Sequence, residues 1–224
     1  MRRTRHNARA NILRVFAGLV SDRGYADSSI ADVADRLGLS KGTVAFHFKS
    51  KTALLDQVTE AYMRRRLDEA HHVLASLATP PEQLTAMIYA LLASHRDDRD
   101  ATRAFLREFV RFTDSADHGA VRGLRETYTE LVHGIVQRGM VEGYFRQDDS
   151  RIVTLQIFGM CNYIWTWYVP EGRNTIEEIT ATFTRTVLTG LAATEVRESS
   201  SADVDRLVAV GRKVVEAAPR RTAE

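Results

Sequence analysis

A chain of 224 residues with 44% apolar and 27% charged side chains carries enough of each to bury a sizeable core, which argues against disorder. Four prolines and thirteen glycines are few for a turn-rich β protein, and the recurrence of Ala, Leu, Arg and Glu points to an all-α fold. A single cysteine, Cys161, excludes an internal disulfide framework and any Cys-based zinc site, while the net charge of +2 conceals an asymmetry: residues 1–66 hold thirteen Lys or Arg against six Asp or Glu, a net +7, leaving −5 for the rest.

A first helix is predicted over 9–23, where Ile12, Phe16, Leu19 and Val20 recur at helical spacing and Gly24 stops the run. Ahead of it Arg2, Arg3 and Arg5 read either as a flexible basic arm suited to phosphates or a minor groove, or as a disordered solubilising end. No apolar run follows them, so no secretory signal is expected, and a cytoplasmic, reducing location suits the lone cysteine. Ser29 and Asp32 have capping-box spacing, Ile30, Val33, Ala34 and Leu37 form the apolar stripe of a short second helix, and Gly38 ends it. Ser40 then caps a third helix from Lys41, with Val44, His47 and Phe48 on one side. Two short helices joined by a tight glycine-containing turn make a helix-turn-helix.

From Lys51 a long pattern runs through Leu54, Leu55, Val58 and Tyr62 to about Leu77, and Thr79-Pro80-Pro81-Glu82 restarts a helix. Further helices are predicted at about 81–96, 99–113, 119–143, 149–168 and 175–194, the last capped by Thr175 and Glu178. The segment 149–168 is apolar nearly all round, too short for a bilayer span and interrupted by Gln156 and Asn162, so it is expected to bury two faces. After Ser199-Ser200-Ser201, Val204, Leu207, Val208, Gly211, Val214 and Val215 predict a tenth, peripheral helix.

The stretch Ile12-Leu13, Phe16, Arg23-Gly24-Tyr25, Ser29 to Ala34, Leu37 to Val44, His47-Phe48, Ser50-Lys51 and Ala53 to Leu55 resembles the DNA-binding domain of the TetR family almost position by position. The resemblance implies a helix-turn-helix domain over 1–54, a ligand-binding and dimerisation domain over 55–194, and a tail over 195–224. It implies a homodimeric repressor that binds a palindromic operator in double-stranded DNA and leaves it when a small molecule binds. The expected DNA-binding residues are Arg3, Arg5, Ser29, Ser40, Lys41, Gly42, Thr43, Ala45, Phe46, His47 and Lys51. Small side chains at 42, 43 and 45 let the helix backbone approach base edges, and Lys51 is placed to meet phosphate. Many family members carry a tyrosine where Ala45 stands; here Phe46 offers an apolar contact, for example to a thymine methyl.

Further along, Phe105 to Phe109, Glu142 to Phe145, Ile157 to Tyr168 and Glu171 to Glu178 are similar to regulators of fatty-acid or steroid degradation, which implies acyl-coenzyme A thioesters as the effector class. Tyr89, Phe105, Phe109, Phe112, Tyr128, Phe158, Asn162 and Trp165 are expected to line an apolar cavity, with Arg103 and Arg107 beside it for the coenzyme A phosphates. Ile176, Phe183, Val187 and Leu191 are expected on the dimer face. A small-molecule-binding helical protein, or an enzyme acting on an apolar substrate, is the alternative. The enzyme reading has little to stand on: His71 and His72 point about 100° apart on a helix, Asp97-Asp98 reads as a helix end, and Cys161 reads as a buried apolar residue, so neither a catalytic nor a metal site nor a cofactor is expected.

Overall fold

The computed structural model describes the backbone of residues 2–108, 119–191 and 201–218, with side chains from Ala8 and from Val204 onward in the first and last of these stretches. The described residues form ten α-helices and no strand, as the composition requires. In chain order they are α1 (Arg2–Arg23), α2 (Ile30–Leu37), α3 (Lys41–His47), α4 (Lys51–Ser76), α5 (Pro80–Asp97), α6 (Arg99–Arg107), α7 (Gly119–Val141), α8 (Ser150–Tyr163), α9 (Ile176–Leu191) and α10 (Ser201–Glu216). Expected boundaries at 143 and 168 shorten to Val141 and Tyr163, a 3-10 turn (Ile164–Thr166) following the latter. The stretches 109–113 and 192–194 of two predicted helices lie outside the described residues.

Among the described residues, one compact unit takes in 2–65, 98–108 and 119–125, and the other 66–97, 126–191 and 201–218. This differs from the division at 54 and 195 read from sequence: the unit with the first three helices also holds the start of α4 and all of α6, and the tail helix belongs to the other unit.

The first unit closes around Ile12, Phe16, Val20, Val33, Val44 and Leu54, all fully buried. Helix α6 packs against α1, and Phe105 lies on Tyr62 with ring centroids 5.0 Å apart. Arg107 donates to the carbonyls of Ser21 and Asp22 at 2.9 and 3.1 Å, satisfying two acceptors that the end of α1 leaves open. The backbone of Arg2, Arg3 and Arg5 is helical and continuous with α1, which corrects the expectation of a flexible arm. Their side chains lie outside the described part.

In the second unit α5 is the central element: every residue from Gln83 to His95 is buried, because α8, α9 and α10 all pack on it. Helix α10 is therefore not peripheral. Val204 and Val208 are buried, and Gly211 lets its backbone approach α5 so closely that a Cβ there would lie 2.9 Å from the Cα of Ala86. At the same end the Tyr89 hydroxyl lies 3.4 Å from carboxylates of Glu177 and Glu216, Arg96 donates to Glu177 at 3.1 Å, and burial pushes the Tyr89 phenol up from its ordinary pKa.

Candidate nucleic-acid interface

The turn between α2 and α3 is built from local hydrogen bonds. Ser29 accepts the Asp32 amide at 3.2 Å, and the Asp32 carboxylate accepts the Ser29 amide at 2.8 Å and its hydroxyl at 2.5 Å, completing the expected capping box. Arg23 adds an ion pair at 2.6 Å, and its guanidinium, with the Ser29 bonds, holds the Asp32 carboxyl down to about 2. At the other end of α2, Gly38 stands at φ 63°, a left-handed conformation that costs a side-chain-bearing residue roughly 1 kcal/mol. The amides of Gly38 and Leu39 then reach back to Asp35 and Ala34, a Schellman closure. Two residues later Ser40 caps α3, accepting the Thr43 amide at 3.0 Å with its hydroxyl 2.9 Å from that of Thr43.

These closures fix which side of α3 faces outward. Val44 and, just past the helix, Phe48 are buried, each stabilising the unit by about 1.5–3 kcal/mol. Lys41, Gly42, Ala45 and Phe46 are exposed, and Thr43 and His47 are half-buried at the edges. Six of the expected DNA-binding residues thus share one short helix, with Ser40 as its cap.

The other expected contacts are placed differently. Ser29 spends its hydroxyl on the α2 cap. Lys51, at the start of α4, donates to the Ala26 carbonyl at 3.0 Å and sits 4.2 Å over the Tyr25 ring, so its ammonium is held in place as a fixed charge rather than swinging freely. The Tyr25 hydroxyl is 3.1 Å from that of Thr52, and the Tyr25 amide donates to Glu108 at 3.0 Å, so the Gly24–Tyr25 turn is gripped from both α4 and the end of α6. Arg9, which sequence reasoning passed over, donates to Gln57 at 2.7 Å and lies 4.9 Å over the Phe48 ring, bracing α1 against α3 and α4. Its only sequence signal is a basic residue in a basic stretch.

Of the ten residues expected at the effector site, eight lie among the described residues. Arg103 and Phe105 belong to the first unit, where Phe105 is buried against Tyr62, and Arg107 donates to carbonyls at the end of α1. Phe109 and Phe112 lie outside the described residues. Tyr89, Tyr128, Phe158, Asn162 and Trp165 fall in the second unit, where Tyr128 and Phe158 meet at 5.9 Å between centroids and Tyr89 is turned toward the Arg96–Glu177 cluster.

The four residues expected on the dimer face differ in exposure: Ile176 and Leu191 are buried within their own unit, whereas Phe183 and Val187 are only half-buried. Between them Thr180 and Thr184 are buried, and Thr180 donates its hydroxyl to the Ile176 carbonyl at 2.7 Å. Beside them α8 buries Val153, Thr154, Ile157 and Cys161 but exposes Ile152 and Leu155 (55 and 63%), with Tyr163 (65%) at its end. A groove of about 260 Å³ runs between α8 and α9, lined in part by Ile152, Gln156, Met160, Thr186 and Val187.

The groups weighed for catalysis do not converge. His71 is exposed, Asp97 pairs with Arg96 and Asp98 with Arg65, and burial pushes the Cys161 thiol up, away from its nucleophilic form. Among the described residues no group of three His, Cys, Asp or Glu is placed to hold a metal, and no helix is long and apolar enough to cross a membrane.

Two family models match the chain: "Bacterial regulatory proteins, tetR family" over residues 12–58 and "Tetracyclin repressor-like, C-terminal domain" over 77–191. Among curated proteins the chain is similar to the HTH-type transcriptional repressor KstR2 of Rhodococcus jostii, 26% identical over 192 residues, covering 83% of this chain and 91% of that one. Among solved structures it is similar to the ketosteroid transcriptional regulator KstR2 of Mycobacterium tuberculosis, with TM-score 0.78 and 22% identity over 83% of this chain and 95% of that one. AibR in complex with isovaleryl coenzyme A and operator DNA aligns with TM-score 0.73 and 22% identity over 81% of this chain and 97% of that one.

Proposed function

Because the chain belongs to the TetR family of bacterial regulatory proteins, we propose that it is a homodimeric transcriptional repressor, held on a palindromic operator by α2 and α3 and released by an apolar effector of the acyl-coenzyme A class. The observation that carries the reading is the outward face of α3: a capped helix in a basic unit, with its apolar side buried and Lys41, Gly42, Thr43, Ala45, Phe46 and His47 directed away from it. In this reading Lys41 and the fixed Lys51 ammonium meet phosphate, Ser29 and Ser40 act by fixing the helices, and Arg3 and Arg5 add positive charge at the start of α1.

The dimer places two copies of α3 on successive turns of the duplex. The exposed Ile152, Leu155 and Tyr163 with Phe183 and Val187 supply an apolar face for that pairing. The effector belongs to the second unit, where Tyr128, Phe158, Asn162 and Trp165 offer apolar surface with an amide among it. Support for the thioester class comes from the neighbour bound to isovaleryl coenzyme A and from the resemblance to regulators of fatty-acid and steroid degradation. Members of the family are regulators, and among the described residues His71, Asp97, Asp98 and Cys161 do not converge on one another.

The reading is tested by gel shifts of the full-length protein on its own upstream DNA. A palindromic site is expected to be bound with affinity that falls by orders of magnitude between about 50 and 200 mM salt. Absence of any bound palindrome at the low-salt end contradicts it.

A further inference from the structure

Where α7 meets the start of α8, three side chains line up that the regulator reading does not use. The Ser150 hydroxyl lies 2.9 Å from Nε2 of His133, and Nδ1 of the same ring lies 3.5 Å from Oε2 of Glu130. Arg151 holds the other oxygen of that carboxylate at 3.1 Å, so the Glu130 charge is kept beside the ring. Glu130 and His133 stand one turn apart on α7, which puts them on one face of the helix. With its proton on Nδ1, facing the carboxylate, the imidazole offers Nε2 as an acceptor to the serine. The ring is buried and Ser150 only half-buried, so the oxygen can be reached from outside while the base behind it is shielded.

The surroundings suit an acyl group. Asp149 takes the amides of Arg151 and Ile152 at 2.9 and 3.1 Å, whereas the Ser150 amide has no partner among the described residues and is left for an oxyanion. Thr154 and Phe158 follow Ser150 at four-residue steps, and Phe158 meets Tyr128 of α7 with ring centroids 5.9 Å apart. That apolar pair lies about 12 Å along α8 from the hydroxyl, eight residues at the helical rise. We propose that this is a hydrolytic site for acyl esters and thioesters, with Ser150 as nucleophile, His133 as general base and then general acid, and Glu130 as the residue that positions the ring. The Ser150 oxygen bonds to the acyl carbon as its proton passes to Nε2. The bond from that carbon to the leaving oxygen or sulfur breaks, and the proton goes to the leaving atom, releasing alcohol or thiol. Water then attacks the acyl-serine, giving a proton to Nε2; the serine ester bond breaks, the proton returns to the Ser150 oxygen, and a carboxylic acid leaves. None of these residues belongs to α2 or α3, so the proposal goes beyond the operator reading.

The test uses the full-length protein, p-nitrophenyl butyrate and butyryl-coenzyme A as substrates, and a fluorophosphonate probe located by peptide mass spectrometry. The probe is expected on Ser150, and both substrates are expected to be hydrolysed above a protein-free control. Ser150→Ala and His133→Gln should lower that rate at least a hundredfold, the scale of a missing nucleophile or general base. Glu130→Gln should lower kcat at least tenfold with KM unchanged, which a loss of substrate packing would not do. Ser150→Ala removes a single oxygen from a half-buried position, so its fold is retained and its rate is the deciding one. Absence of the probe from Ser150, no hydrolysis above the control, or a rate that Ser150→Ala keeps overturns the proposal. Because no DNA enters the assay, that failure is separate from a failure of the operator reading.

Discussion

In the unit that carries α1, α2 and α3, the helix ends are set by side chains a few residues apart: Ser29 with Asp32, Gly38 with Ala34 and Asp35, Ser40 with Thr43. In the unit around α5 the arrangement is set by partners far along the chain, such as Gly211 against Ala86, Glu216 beside Tyr89 and Arg138 on Gln83. A surface read by local chemistry can be recognised from a short stretch of sequence. A body held by long-range packing keeps its helices but hides which of their faces point inward.

The largest effect is expected where the second unit offers its apolar face. Leu155→Glu puts a charge on the exposed side of α8, so the subunit itself should fold as before. In a dimer that charge is buried without a counter-ion, and association should weaken by several kcal/mol. Sedimentation equilibrium is expected to show a dimer for the unaltered protein and a monomer for the variant; an unaltered protein that is monomeric removes α8 from the account.

A smaller effect sharpens the role of long-range packing. Gly211→Val would drive a side chain into the Ala86 backbone, and overpacking of this kind costs about 1–3 kcal/mol. Urea unfolding should show the midpoint falling by a corresponding amount, and an unchanged midpoint would mean that α10 does not sit on α5 in solution. The smallest effect lies in the local chemistry of the first unit. Asp32 is drawn from its ordinary 3.8 to about 2, so its capping and ion pair contribute fully above about pH 4 and are lost as pH falls through about 2. Asp32→Asn should therefore be less stable than the unaltered protein at neutral pH, with the two unfolding curves converging across that acid window. A constant gap across it would show that the carboxylate charge does not matter.

The sequence made the helix-turn-helix legible because a capping box, a C-terminal glycine and a second N-cap each leave a residue type at a fixed offset. The proline restart at α5 was legible for the same reason, all-α architecture from composition, and the tenth helix from its apolar spacing. The facing of helices was not. Threonine reads as a surface residue, yet Thr59, Thr85, Thr154 and Thr180 are buried because each hydroxyl bonds the carbonyl four residues earlier, at 2.7–2.8 Å. Likewise nothing in its apolar pattern marked α5 as the helix buried from Gln83 to His95, with Gln83, Thr85, Ser94 and His95 among its buried residues. Phe105 and Arg107 carry nothing in their spacing to say that α6 packs on α1.

The most direct test of the account is a titration of fluorescent operator DNA with the full-length protein, with and without acyl-coenzyme A thioesters of short, long and steroid-derived chains, each beside its free acid. The account predicts a dimer bound to a palindrome and affinity reduced at least tenfold by a thioester but not by its acid, corresponding to about 1.4 kcal/mol of preference for the released state. Operator affinity unchanged by every thioester, or altered equally by thioester and acid, would contradict it.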